Sequence, residues 1–523
     1  MIGVNTNGNQ ERPVFYIYDK SQGKFTTKEV TGVNYENAFI KNILTNDFNQ
    51  DGLIDMMVTV KYLSLNTTTT QILLFDPSTS IYKKVYEFPH STDSNIMMGD
   101  FGDTRGVDFL YFDADSGSRK VLSFNDNSVP LIRDFSEMIS SDLKRCDQSL
   151  IHNKYKFSTP HSSAYVDIDG DCLNDILIKS MVEERIEGTN STTTSYYLEI
   201  WRGIIENDEI KYCLSMSSVY DLDPNLGPFS IADINRDSLP DIIFPVINSS
   251  PPRIIIGYNK INLEYDWTKD YCQTHNKFVI KNPDNSYQFV NLTSIPLVYD
   301  ELRPDNNNSD YVQTLTLTHL STQTFLNSEQ FPAYLRFGDI NMDSYPDFTV
   351  ILYDKSDFSQ NSYVFLNMEN NSPSSSHAHI VTRYFSYSNT YFNPFINNAV
   401  YSSFFDLDED GKLDIIVAYQ DANKIINTAG FYNTYVYDNY FIKTFVVNEA
   451  NTLFQYEIGV NFRYITTNMD GTRRMDLTFQ AIQISTPMTL HMPYSYVGIG
   501  RSNNYIENFH VISGKYLMVT HIN

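Results

Sequence analysis

The chain has 523 residues, with 38 Lys and Arg against 63 Asp and Glu, a formal net charge of −25. Hydrophobic residues make up 41% and aromatics 14%, enough for packed cores, which excludes a disordered polyanion. An acidic balance of this size argues against nucleic acid as a partner, because neutralising phosphate takes clustered Lys and Arg.

In chain order, the N-terminus opens on the apolar run Met1-Ile-Gly-Val4, which lacks the regions of a signal peptide. Residues 13–18 and 24–30 read as the next two strands. An acidic loop follows, Asp47-Phe-Asn49-Gln-Asp51-Gly-Leu53-Ile-Asp55, and it recurs. The further copies are Asp167-Ile-Asp169-Gly-Asp171-Cys-Leu173-Asn-Asp175, Asp233-Ile-Asn235-Arg-Asp237-Ser-Leu239-Pro-Asp241, Asp339-Ile-Asn341-Met-Asp343-Ser-Tyr345-Pro-Asp347 and Asp406-Leu-Asp408-Glu-Asp410-Gly-Lys412-Leu-Asp414. A degenerate copy spans Asp100 to Asp108, with Gly102 and Thr104 in place of two carboxylate or amide positions, and is expected to hold no metal.

The starts at 47, 100, 167, 233, 339 and 406 are 53, 67, 66, 106 and 67 residues apart. A period near 60 indicates an array of supersecondary units. Oxygen donors at positions 1, 3, 5 and 9 suit a hard cation, and the carbonyl of position 7 (Leu53, Leu173, Leu239, Tyr345, Lys412) adds a fifth donor. Calcium takes six to eight oxygens in flexible geometry, whereas magnesium keeps more water, so Ca²⁺ is the expected ion. An EF-hand is excluded: its bidentate Glu at position 12 is replaced by Val58, Ile178, Phe244, Val350 and Val417. The loops are followed by short apolar, β-branched runs such as Met56–Val60 and Ile415–Ala418, and three are preceded by others, as in Ala164–Val166. The unit is therefore strand, carboxylate loop, buried strand.

With about four strands per unit, the expected fold is all-β, a seven-bladed β-propeller over residues 1–447. Its first blade begins after an inner strand that is either missing or supplied from elsewhere. The stretch from Asp134 to Lys144 alone shows helical periodicity, and residues 267–310 read as a long excursion between blades. Cys146, Cys172, Cys213 and Cys272 form no C-x-x-C pair, and one or two disulfides or four thiols fit equally. Six N-x-S/T sequons, at Asn66, Asn190, Asn248, Asn291, Asn307 and Asn370, are about what chance provides in a chain so rich in Asn, Ser and Thr. Residues 448–523 are expected to form a small β-sandwich-like domain, in which Asn468 to Asp476 makes a hairpin turn rather than a sixth metal loop.

None of the ten histidines sits in H-E-x-x-H, and no G-x-S-x-G or P-loop is present, so a binding module is expected rather than an enzyme. The alternative is a propeller-fold enzyme acting on glycans, which fold alone does not exclude. His377-Ala-His379 reads as a solvated loop, and no run of 18 apolar residues encodes a membrane helix.

The loops and their flanks, with Phe337-Gly338-Asp339 among them, resemble the FG-GAP repeats of integrin α-subunit propellers. Thr159–Asp167, Gly338–Asp347, Phe404–Val417, Leu490–Tyr494 and Gly498–Asn503 occur in an order similar to that of the T-cell immunomodulatory protein (linkin) family. That resemblance covers nearly the whole chain. It implies an extracellular, glycosylated propeller with a C-terminal β domain, borne on a membrane helix absent from these residues, and associated with cell adhesion through protein partners.

Overall fold

The computed structural model of the chain describes residues 2–7, 10–49, 51–64, 67–88, 96–102, 106–124, 129–141, 146, 155–186, 191–214, 219–259, 277–281, 287–291, 312–317, 320–328, 331–369, 383–387, 396–422, 425–434, 436, 439–450, 453–467, 471–485, 492–500, 506–514 and 517–521. Within them the chain is built from antiparallel strands. The stretch of helical periodicity carries one short 3-10 turn, Phe135–Met138, anchored by buried Phe135 and Met138.

Seven sheets follow one another among the described residues. The first holds Ile2–Asn7, Gln10–Asp19, Lys24–Glu29 and Tyr35–Glu36. The second starts with Ala38–Asn46 and Asp55–Tyr62, the third with Ile96–Gly99 and Asp108–Asp113. The fourth contains Ser163–Val166 and Asp175–Arg185, and the fifth Ser230–Ala232 and Asp241–Val246. The sixth includes Arg336–Gly338 and Asp347–Asp354, the seventh Ala399–Phe405 and Asp414–Gln420. From the second sheet on, each of these pairs is an inner strand, an acidic loop and a buried strand whose first residue is the loop's last Asp, as the spacing indicates. Of the expected excursion, the hairpin Lys277–Lys281 and Tyr287–Asn291 is described, and the fifth sheet resumes at Val312–Thr316.

Apolar side chains join each sheet to the next. Val33, Ala38 and Val58 pack with Phe15 between the first two sheets. Phe48, Phe109 and Trp201 lie in one cluster spanning the second to fourth, while Leu198 and Ile242 join the fourth and fifth. Ile254 meets Phe348, and Ile351 meets Phe404. The ring closes where Tyr18 meets Tyr432 edge-on at 6.5 Å and Lys20 Nζ donates to the Asp408 carbonyl, joining the seventh sheet to the first. Inner strands converge on the axis: Ser230 Oγ donates to the Leu335 carbonyl at 2.8 Å, and Tyr334 O–H reaches the His161 carbonyl two sheets away. This is a β-propeller, each face of a sheet buried against its neighbour because alternate strand residues point to opposite faces.

The C-terminal strands form separate sheets. Val460–Thr467 pairs with Arg473–Gln480 and with Ile506–Ile512, which pairs with Leu517–His521. Ser495–Gly500 pairs with Tyr440–Thr444, which lies ahead of the expected boundary at 448 and joins these strands by hydrogen bonding. The turn 481–485 enters the axis of the propeller. Its Ile482 carbonyl accepts Tyr165 N–H at 2.8 Å, and Gln483 Oε1 accepts Ile231 N–H at 3.2 Å. Cys146 and Cys213 form a disulfide beside Ile204, and Cys172 is disulfide-bonded as well.

Candidate metal centres

The five complete loops share one backbone geometry. Where described, positions 4 and 6 both have positive φ, as in Arg236 (61°) and Ser238 (69°), Met342 (57°) and Ser344 (76°), and Glu409 (61°) and Gly411 (85°). Two left-handed residues two apart curl the chain so that its N–H groups turn inward, a conformation Gly adopts at no steric cost.

Those N–H groups are taken by the loop's own carboxylates. Position 7 donates to position 5 Oδ1 in every complete copy: Leu53, Leu173, Leu239, Tyr345 and Lys412, at 2.9–3.0 Å. Position 6 donates to Oδ2 of position 1 in four copies, from Gly52, Cys172, Ser238 and Ser344 to Asp47, Asp167, Asp233 and Asp339. Where position 3 is Asn, its amide also braces position 5: Asn49 to Asp51, Asn235 to Asp237 and Asn341 to Asp343, at 2.9–3.1 Å.

Position 9 has a second duty that spacing did not reveal. Its Oδ2 accepts the N–H of position 2, from Phe48, Ile168, Ile234, Ile340 and Leu407 to Asp55, Asp175, Asp241, Asp347 and Asp414. Its Oδ1 accepts an N–H from the far end of the next hairpin, from Phe75, Gly203, Asn259, Asn367 and Asn433. Three of these donors are Asn, and each sends its side-chain amide to the preceding sheet's loop. Asn259 reaches the Ile168 carbonyl at 2.7 Å, Asn367 that of Ile234 at 3.0 Å, and Asn433 that of Ile340 at 3.1 Å. The four loops from Asp167 to Asp414 are thus tied, each to the next.

Carboxylates converge in two copies: Asp167, Asp169 and Asp175, and Asp406, Asp408 and Asp414, each offer oxygens within 4.8 Å of one another. In the other three complete copies Asn replaces the Asp of position 3. Asp171 Oδ2 and Asp406 Oδ1 are buried with no hydrogen-bond partner, and Asp169 Oδ2, also without one, has the buried Arg202 Nε at 3.9 Å. Burial pushes Asp55, Asp167 and Asp339 up to about 7 and Asp237 and Asp414 up to about 6. Asp175, Asp241 and Asp347 rise further, through burial and then the charges of the same loop. Several acids buried together, some with unpartnered oxygens, are what a bound cation would relieve; the donor set is all oxygen and fits Ca²⁺. In the degenerate loop, among the described residues, Asp108 keeps the clamping role, its Oδ2 accepting Phe101 and Gly102 N–H at 2.9 Å each.

A family model described as "ITFG1, C2 domain" matches residues 455–519. The T-cell immunomodulatory protein of Rattus norvegicus is 23% identical over 513 residues, covering 95% of this chain and 73% of that protein. A T-cell immunomodulatory protein homolog from Plasmodium yoelii yoelii is 27% identical over 384 residues, 68% of this chain. The chain spans 51% of that relative's length. Among solved structures, the extracellular domains 1-2 of Drosophila Semaphorin 1b align over 82% of this chain and 84% of that one, at 9% identity and a TM-score of 0.32. The β-propeller domain of the Trilobed protease from Pyrococcus furiosus aligns over 82% and 93%, at 9% identity and a TM-score of 0.28. Over most of its length the chain is thus similar to proteins named T-cell immunomodulatory protein, and its C-terminal strands match the C2-domain model.

Proposed function

We propose that this chain is a calcium-stabilised β-propeller that serves as a protein-binding, adhesive module on the extracellular side of a membrane, without catalytic chemistry of its own. The observation that carries the metal reading is the convergence of Asp167, Asp169 and Asp175, and of Asp406, Asp408 and Asp414, with buried carboxylate oxygens that no donor satisfies. Bound calcium supplies charge compensation through oxygen ligation. Asp47, Asn49, Asp51 and Asp55, and the equivalent side chains of the other four loops, hold it, with the position 7 carbonyls as further donors. Five such ions would take the formal charge from −25 to −15. The disulfides suit an oxidising compartment, which supports the extracellular placement. Kinship with the T-cell immunomodulatory proteins and a rigid disc with loops on two faces support a protein partner.

The test is metal counting on protein dialysed against calcium, followed by thermal unfolding with and without a chelator. Bound calcium near five per chain and a clear fall in Tm on chelation are expected. No bound calcium, or an unchanged Tm, would sink the structural-cation reading. Binding of the labelled chain to cell surfaces, lost on chelation, tests the adhesive role.

A further inference from the structure

The C-terminal strands rest on four successive acidic loops, and at three of them they engage the carboxylate of position 1 itself. Arg463 Nη2 lies 3.5 Å from Asp167 Oδ2, and Asn461 Nδ2 donates to the Asp167 carbonyl at 3.2 Å. Gly498 N–H donates to Asp339 Oδ2 at 2.8 Å. Lys443 Nζ lies 3.1 Å from Asp406 Oδ2 and 4.0 Å from the centre of the Tyr494 ring, whose hydroxyl accepts Asp406 N–H at 3.2 Å. At the fourth loop the contact uses positions 4 and 6: Arg236 pairs with Asp476, and Ser238 Oγ donates to the Met475 carbonyl at 2.7 Å. A cavity of about 150 Å³ lies in this seam, lined by Asp233 and Asp339 from the propeller and by Asp476, Gln483 and Tyr496 from the C-terminal strands.

In three loops one carboxylate therefore serves two clients. Asp406 divides the work by atom: Oδ2 takes Lys443, while Oδ1 is buried and unpartnered. We propose that calcium in the loops and seating of the C-terminal strands are coupled, with the position 1 carboxylates of Asp167, Asp339 and Asp406 bridging the two. The inference rests on the metal reading above. A cation holding the loop's acids together fixes the orientation in which the outer oxygens meet Arg463, Gly498 N–H and Lys443. Without it the acids of one loop repel one another and the seat loses definition. Linkage requires the reverse effect of equal size: unseating the C-terminal strands must weaken calcium binding.

Gly498 provides the perturbation. A Cβ there would lie 2.4 Å from the Met342 backbone, so Gly498→Val pushes the strand off the fourth complete loop, Asp339–Asp347. Hydrogen exchange of the whole chain is measured with and without calcium, alongside a direct count of bound metal. Calcium is expected to slow exchange tenfold or more across 460–467, 474–480 and 495–500. Gly498→Val is expected to abolish that slowing and to weaken calcium binding on the order of fivefold to a hundredfold. Calcium bound at full count with C-terminal exchange unchanged would overturn the coupling alone. No calcium bound by the wild-type chain would overturn the metal reading and the coupling with it. Should Gly498→Val fail to fold, Lys443→Gln, on a partly exposed side chain, is expected to weaken calcium binding severalfold, and unchanged affinity there overturns the proposal.

Discussion

Asn367 is the sharpest place to test how the loops are tied together. Its side chain is fully buried between the fifth and sixth sheets. Nδ2 donates to the carbonyls of Ile234 at 3.0 Å and Pro346 at 3.3 Å, and Oδ1 accepts Arg383 Nε at 2.9 Å. Asn367→Ala removes all three bonds. It spares the backbone N–H bond to Asp347 Oδ1 and the Arg383 Nη2 bond to the Asn367 carbonyl, each 2.8 Å. Two carbonyls and a guanidinium N–H are left without these partners, at a cost of about 1–3 kcal/mol for each neutral group and more for the charged one, so the expected loss is at least about 3 kcal/mol. Urea unfolding followed by circular dichroism, in calcium and in chelator, measures it. Asn427→Ala, on the rim of the seventh sheet where the amide bonds only the exposed Ile425 carbonyl, is the control, with an expected change of under about 0.5 kcal/mol. Asn367→Asp keeps the acceptor for Arg383 but sets a charge against two carbonyls, and is expected to cost at least as much in chelator. A loss of under about 1 kcal/mol in Asn367→Ala would refute the tie between loops as a source of stability.

The other predictions concern charge and covalent closure. Asp171→Asn removes an acid that burial and the charges of Asp169, Asp167 and Asp175 hold well above the ordinary carboxylate range, so the chelated protein is expected to gain stability, while calcium binding at that loop weakens about tenfold or more; unfolding in chelator and calcium titration read the two signs. Burial lifts Asp55, Asp167 and Asp339 to about 7, and Asp237 and Asp414 to about 6, above the ordinary carboxylate value of about 4, so between about pH 4 and 7 the folded state binds more protons than the unfolded one. These groups' contribution to stability is therefore present below pH 4 and lost as pH rises toward 7. Chelated protein is expected to lose stability over that window and calcium-loaded protein to lose less, as urea midpoints at each pH would show. Opening the Cys146–Cys213 disulfide, which spans 67 residues, with a Cys146→Ala, Cys213→Ala pair is expected to cost about 4 kcal/mol by loop entropy, and an unchanged urea midpoint would refute that.

The legible part of this molecule is what a short stretch of chain encodes by itself. The 1-3-5-9 register, with the apolar run that follows it, was enough to place loop and buried strand in the five complete copies, and the preceding strand was readable for three of them. The Asn ties were not legible, because the partner of each amide is a backbone carbonyl about 90 to 130 residues away, and a carbonyl has no sequence signature. Spacing alone also could not assign Tyr440–Thr444, whose apolar alternation suits any half-buried strand; its pairing with Ser495–Gly500 decides where it belongs. The seat of the C-terminal strands was hidden for the same reason, since Arg463 and Asp167 stand 296 residues apart.

Position 9 shows how one residue type answers two physical demands. As a ligand its Asp is readable from spacing. As a clamp it is not, because its donors range over Phe75, Gly203 and three Asn. The degenerate loop separates the two roles. Gly102 and Thr104 have removed the ligand pattern there, yet Asp108 is still buried at the start of its strand and still accepts Phe101 and Gly102 N–H. Holding the loop to its strand therefore requires the carboxylate whether or not a cation is bound. It follows that replacing a position 9 Asp confounds the two roles.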